Sequence, residues 1–128
     1  MKRIVSAAAA ALGAALLVPL MATSAQAASC ASGTFCLYYN SNLGGSHVAL
    51  NRNVPDLAGY KFTTSGAGQG QYVKNNAASA QNMSQCKATV FFYSNYGGPS
   101  DGFNYRDSGN LVNTYNENAS VYFATSCG

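Results

Sequence analysis

The chain has 128 residues, seven Lys and Arg against four Asp and Glu, one histidine, and only 9% charged residues. That length holds one ordinary domain. With no basic run beyond the N-terminus, so sparse a charge excludes nucleic-acid or anionic-membrane binding through a charged patch.

Lys2 and Arg3 open the chain, an alanine- and leucine-rich run covers Ile4 to Ala22, and Ala25-Gln26-Ala27 follows. A basic head, an apolar middle and a small-x-small end make a signal peptide, cleaved after Ala27. A permanent membrane anchor is the weaker reading, because Pro19 interrupts the run and alanine is weakly apolar for a span. Residues 1–27 are thus expected to be removed on export. Residues 28–128 then form a single secreted, extracellular domain that does not hold a membrane. Within it Arg52, Lys61, Lys74, Lys87 and Arg106 face Asp56, Asp101, Asp107 and Glu117, a net charge of +1.

The rest reads as β-structure built twice. Tyr, Phe, Val and Thr crowd short runs between Gly, Asn, Asp and Pro, and no window keeps a helical period. Strands are predicted over 34–40, 47–51, 60–64 and 79–83, then over 88–94, 101–106, 111–114 and 120–125. Val54-Pro55-Asp56-Leu57 and Ser108-Gly109-Asn110-Leu111 read as connections, with room for a helical turn. Tyr38-Tyr39-Asn40-Ser41-Asn42-Leu43-Gly44-Gly45 aligns with Phe91-Phe92-Tyr93-Ser94-Asn95-Tyr96-Gly97-Gly98. Further on, Asn75-Asn76-Ala77-Ala78-Ser79 aligns with Asn116-Glu117-Asn118-Ala119-Ser120. The first copy is longer, and its surplus sits in Ser65-Gly66-Ala67-Gly68-Gln69-Gly70, a flexible loop by composition. The repeats, about 30–84 and 85–128, each suggest a four-stranded Greek key. Two packed together make an all-β sandwich.

Cys30, Cys36, Cys86 and Cys127 all follow the signal, and an even count in an exported chain reads as two disulfides. Three pairings exist. Cys30–Cys36 with Cys86–Cys127 is favoured, since Cys86 precedes the first strand of the second copy and Cys127 follows its last. The crossed pairings stay open, because connectivity is not fixed by sequence. Zinc is disfavoured: there is no Cys-x-x-Cys and a lone histidine.

No catalytic residues are assigned. His47 has no acidic neighbour in sequence and reads as an exposed or edge-strand histidine rather than a base. The carboxylates are scattered over loops, and no phosphate-cradling glycine loop is present. Binding is the better-supported class. Asn75, Asn76 and Ser79, with Asn116, Glu117 and Ser120, offer hard oxygen ligands suited to calcium. The competing reading makes them turns, with Asn in the left-handed region and Ser tying the turn. Tyr60, Tyr96 and Tyr115, outside the strands, are candidates for carbohydrate or protein recognition. Asn82-Met83-Ser84 and Asn118-Ala119-Ser120 match the glycosylation pattern, which means little in the bacterial source that the short signal suggests.

The motifs Tyr39-x-x-x-Leu43-x-Gly45 and Phe92-x-x-x-Tyr96-x-Gly98, each followed by a serine (Ser79, Ser120), resemble the βγ-crystallin Greek-key motif. The Cys-x5-Cys opening, Leu37-Tyr38-Tyr39 and Val73-Lys74-Asn75-Asn76-Ala77-Ala78-Ser79 are similar to secreted actinobacterial proteins grouped with a metalloproteinase inhibitor in one peptidase inhibitor family. The resemblance implies a disulfide-stapled βγ-crystallin-like sandwich that binds and blocks a secreted thermolysin-type metalloprotease without being an enzyme. That inhibitor carries a second local cysteine pair with no match here, so no reactive-site residue is carried over. Calcium-binding crystallins use Asn/Asp-Asn/Asp-x-x-Ser/Thr-Ser; here Ala80 and Val121 replace the last serine, and Glu117 fills a second position. Two alternatives accompany inhibition: a calcium-stabilised structural or binding module and, more weakly, a lectin-like protein. No cofactor is required beyond a candidate calcium ion, and a monomer is expected.

Overall fold

The computed structural model describes residues 28–125 and Cys127, so the expected signal over 1–27 lies outside the described residues. Seven strands follow: β1 (Phe35–Asn40), β2 (Gly44–Leu50), β3 (Ser79–Asn82), β4 (Ala88–Tyr93), β5 (Gly97–Phe103), β6 (Ser108–Asn110) and β7 (Ser120–Phe123). They form two antiparallel sheets, ordered β2-β1-β3-β6 and β5-β4-β7.

Each copy begins with a hairpin whose turn is set by two left-handed residues, Asn42 and Leu43 (φ 58° each) and Asn95 and Tyr96 (φ 61° and 62°). Paired left-handed residues match the twist of the flanking strands. Asn accepts that conformation readily, but Leu43 and Tyr96 are held there at a cost of about 1–2 kcal/mol each. Two buried hydroxyls offset it. Ser79 Oγ accepts from Leu43 N at 2.9 Å and donates to Asn40 O at 2.6 Å. Ser120 Oγ accepts from Tyr96 N at 2.9 Å and donates to Tyr93 O at 2.7 Å. Each serine thus stands on a later strand and fastens the hairpin of its own copy.

Phe35, Leu37, Val48, Leu50, Val90 and Val121 point between the sheets, joined by Val54, Leu57, Phe62, Val73 and Leu111 from the connections. Burial of each such side chain stabilises the fold by about 1.5–3 kcal/mol. On β1 the alternate residues Cys36 and Tyr38 are buried too, because Cys30, Leu43 and Met83 cover the outer face of that sheet. The disulfides are Cys30–Cys36 and Cys86–Cys127, the favoured pairing.

The copies are not separate layers. β6 comes from the second copy yet pairs with β3 of the first, Ser79 opposite Asn110. In return Val54 of the first copy bridges Val121 on the open edge of β7, with N···O distances of 2.9 and 3.0 Å. Two stretches differ from the sequence expectation. The predicted strand 60–64 is not one: its backbone bonds are split between the chain just after the glycine loop and β2, with Phe62 N donating to Gln71 O at 3.0 Å, Val73 N to Tyr60 O at 2.9 Å and Thr63 N to His47 O at 3.1 Å. The strand expected at 111–114 lies instead at Ser108–Asn110, the stretch that read as a connection, since Asp101 caps the amides of Val112, Asn113 and Thr114 into a turn while Ser108–Asn110 pairs with β3. The 3₁₀ turn Leu57–Gly59 fills the first expected connection, capped by Asp56 Oδ1 on Ala58 N at 3.0 Å.

Candidate functional site

At one end of the sandwich the two Asn-x-x-x-Ser segments lie against each other about a pseudo-twofold. Asn75 N donates to Asn118 O, and its counterpart Asn116 N donates to Ala77 O, both at 2.9 Å. Asn75 and Asn116 are left-handed, with φ of 63° and 53°. Asn118, fully buried, seals the junction: Nδ2 donates to Ala77 O (2.9 Å) and Thr114 O (2.8 Å), and Oδ1 accepts from Ala77 N (3.1 Å). Asn82 does similar work, donating to Cys86 O and Phe103 O at 2.8 Å each and accepting from Ser84. Neither asparagine has a free amide hydrogen for a glycan. Their structural roles went unread in the sequence, although a polar residue facing Ala77 across the repeat was the available signal.

The six candidate calcium residues are therefore distributed, not gathered. Ser79 and Ser120 are hairpin fasteners. Asn76 donates Nδ2 to Tyr72 O at 2.8 Å, leaving Oδ1 free, and with Asn116 it lines a cavity of about 260 Å³. Tyr39, Asn40, Ser41, Ala78 and Tyr115 complete that cavity, which carries no charged side chain. On the opposite side of the pseudo-twofold the residues corresponding to Ser41 and Tyr115 are Ser94 and Lys74. There Lys74 Nζ donates to Asp56 Oδ1 at 2.9 Å and reaches Ser94 Oγ at 3.4 Å. That ammonium, with the Ala58 amide, holds the Asp56 carboxyl below the usual carboxylate range. Among the described residues no three His, Cys, Asp or Glu side chains gather as a metal cluster.

The Ser65–Gly70 insertion departs from its composition. Ala67 O accepts from Ser46 N at 2.9 Å, Gly70 N donates to Phe62 O at 2.9 Å, and Gln69 N and Gln71 N close turns on Gly66 O and Gly68 O. The glycines serve geometry. Gly66, Gly68 and Gly70 all have positive φ, and a Cβ at Gly68 would run into the Tyr39 ring. At the root, Thr64 Oγ1 accepts from His47 N at 2.8 Å, and His47 O accepts from Thr63 N at 3.1 Å. His47 lies on the edge strand β2 but is not exposed: its ring is buried against Tyr38 at 4.8 Å beneath the loop root, and burial pushes its pKa below the usual imidazole value. Of the candidate tyrosines, Tyr60 packs on the core, Tyr96 stacks edge-on to Phe91 and Tyr122, and Tyr115 stands at the cavity rim, 48% exposed.

Exchanged Greek keys, serine-fastened hairpins and left-handed Asn turns define a βγ-crystallin-type domain. Solved structures agree on the fold. One from work on the evolution of the eye lens βγ-crystallin domain fold superposes with a TM-score of 0.59 at 17% identity, covering 80% of this chain and 95% of that one. A βγ-crystallin from Ciona intestinalis gives 0.55 at 19% identity over 72% and 100% of the two chains. The N-terminal domain of protein S gives 0.57 at 18% identity over 74% and 99%. The chain itself belongs to peptidase inhibitor family I36, whose model matches residues 23–103. That span holds the whole glycine loop and stops at the end of β5, before Asn116–Ser120. No curated protein matches the chain.

Proposed function

We propose that this protein is a secreted, non-catalytic inhibitor of an extracellular metallopeptidase and that it presents the Thr63–Tyr72 loop to the enzyme's cleft. The observation that carries this reading is a loop both exposed and pre-ordered. Ser65, Gln69, Gln71 and Tyr72 face solvent while the main chain beneath them is bonded to β2 and to Phe62. A segment ordered before binding loses less conformational entropy in the complex, and that difference appears as affinity. Family membership supports a peptidase as the partner. The disulfides suit an oxidising, extracellular setting.

The assay is turnover by a thermolysin-type enzyme with subtilisin as control. The expected result is slowing of the metalloenzyme at micromolar protein and none of the serine enzyme; an unslowed metalloenzyme sinks the proposal. Gly68→Ala, which drives a methyl against Tyr39, is expected to weaken inhibition at least about tenfold by disordering the loop.

A second reading makes the domain calcium-stabilised. It is favoured by the convergence of Asn76 and Asn116 on one cavity, where amide and main-chain oxygens are hard ligands. It predicts a Tm that rises with millimolar calcium; an unchanged Tm counts against it.

A further inference from the structure

Beside the junction of the two copies lies the cavity lined by Tyr39, Asn40, Ser41, Asn76, Tyr115 and Asn116. We propose that it takes one neutral pyranose sugar, as a unit of an extracellular polysaccharide. Its size sets the first limit. At about 260 Å³ it falls below the roughly 300–1,000 Å³ of sites for larger ligands, so the guest is small. A water molecule's share of liquid volume is about 30 Å³, so one bare ion would leave most of the space to water.

Chemistry sets the second limit. None of the lining side chains is charged, which disfavours phosphates, carboxylates and amines. What they offer is a set of amides and hydroxyls, each able to donate and accept, beside phenol rings. A neutral polyol satisfies such a lining, which is almost wholly polar.

The walls are also prepared. The Tyr39 ring is fixed edge-on to Phe62 at 5.6 Å and backed by Gly68, and Asn76 is oriented by its bond to Tyr72 O. The pseudo-equivalent position supplies an internal contrast. There the Lys74 ammonium, paired with Asp56, brings charge to the place that Tyr115 holds here.

The test is an NMR titration of amide-labelled protein with glucose, galactose, mannose and N-acetylglucosamine in turn, and with calcium in a separate arm. The expected result is saturable shifts at Ser41, Asn76, Tyr115 and Asn116 for at least one sugar. A ligand this small should bind with a Kd in the millimolar range. Tyr115→Ala, at an exposed side chain, should weaken binding at least about tenfold, whereas Tyr115→Phe should keep most of it and Lys74→Ala all of it. No saturable shift with any sugar overturns the proposal. So does binding indifferent to Tyr115→Ala, or a response at these residues to calcium alone. The outcome is independent of the peptidase assay.

Discussion

The two Asn-x-x-x-Ser segments perform the same mechanical task and leave different surfaces. In both, a left-handed asparagine turns the chain, its amide crosses to the other copy, and a buried serine fastens a strained hairpin. Around that shared frame the first position has tyrosine and uncharged amides and stays open, while the second has Lys74, Asp56 and Glu117 and an ion pair. The lesson concerns which part of a repeat is constrained. The left-handed asparagines and the fastening serines stay equivalent, whereas Asn118 stands opposite Ala77 at the junction and the positions that face solvent diverge freely.

The comparison can be broken most severely at the junction. Asn118→Ala removes three buried hydrogen bonds and leaves the Ala77 amide without its acceptor, while Ala77 O and Thr114 O each keep one main-chain donor, Asn116 N and Glu117 N. It should cost about 2–4 kcal/mol, read by denaturant unfolding. Next come the fasteners. Ser79→Ala and Ser120→Ala should each cost about 1–2 kcal/mol, and the two values should agree within the error of the measurement. A clear inequality would show that the copies are mechanically different after all.

A smaller, pH-dependent effect belongs to His47. Its folded pKa is depressed by burial, so the unfolded chain takes up a proton first as pH falls below about 6.5. The stabilisation from the neutral, buried ring is complete above that value and is lost as pH drops toward the folded pKa. Tm should therefore decline on mild acidification in the parent and decline less in His47→Gln. Smallest of all is Lys74→Ala. Its partner Asp56 is solvent-exposed, and exposed ion pairs contribute little. Its Tm should match the parent's at moderate salt.

Much of this was legible in the residues, and the exceptions have physical causes. The aromatic runs before each Gly-Gly pair read as β1 and β4 because alternation and turn chemistry are local. The pairing of Cys86 with Cys127 followed from where the second copy begins and ends. The exchange of β6 and the Val54 edge was not legible, because partner choice between sheets is a long-range matter that no short pattern encodes. Residues 60–64 misled through composition: Phe62 is apolar to fill the core, not to extend a sheet. Ser65–Gly70 misled in the opposite sense, since glycine marks positive φ as readily as it marks freedom. For the calcium candidates the residue types and the turn reading were visible, but not that the two serines fasten distant hairpins rather than their own turns, or that Lys74 stood at the second position.

The account rests most heavily on the glycine loop as the surface that meets a peptidase. The direct measurement compares the inhibition constant of the parent with that of a variant carrying Ser65, Gln69, Gln71 and Tyr72 all as alanine. Its glycines and loop main chain are left intact. A loss of at least about 100-fold with Tm essentially kept is the predicted result. Equal inhibition by the two proteins would contradict it.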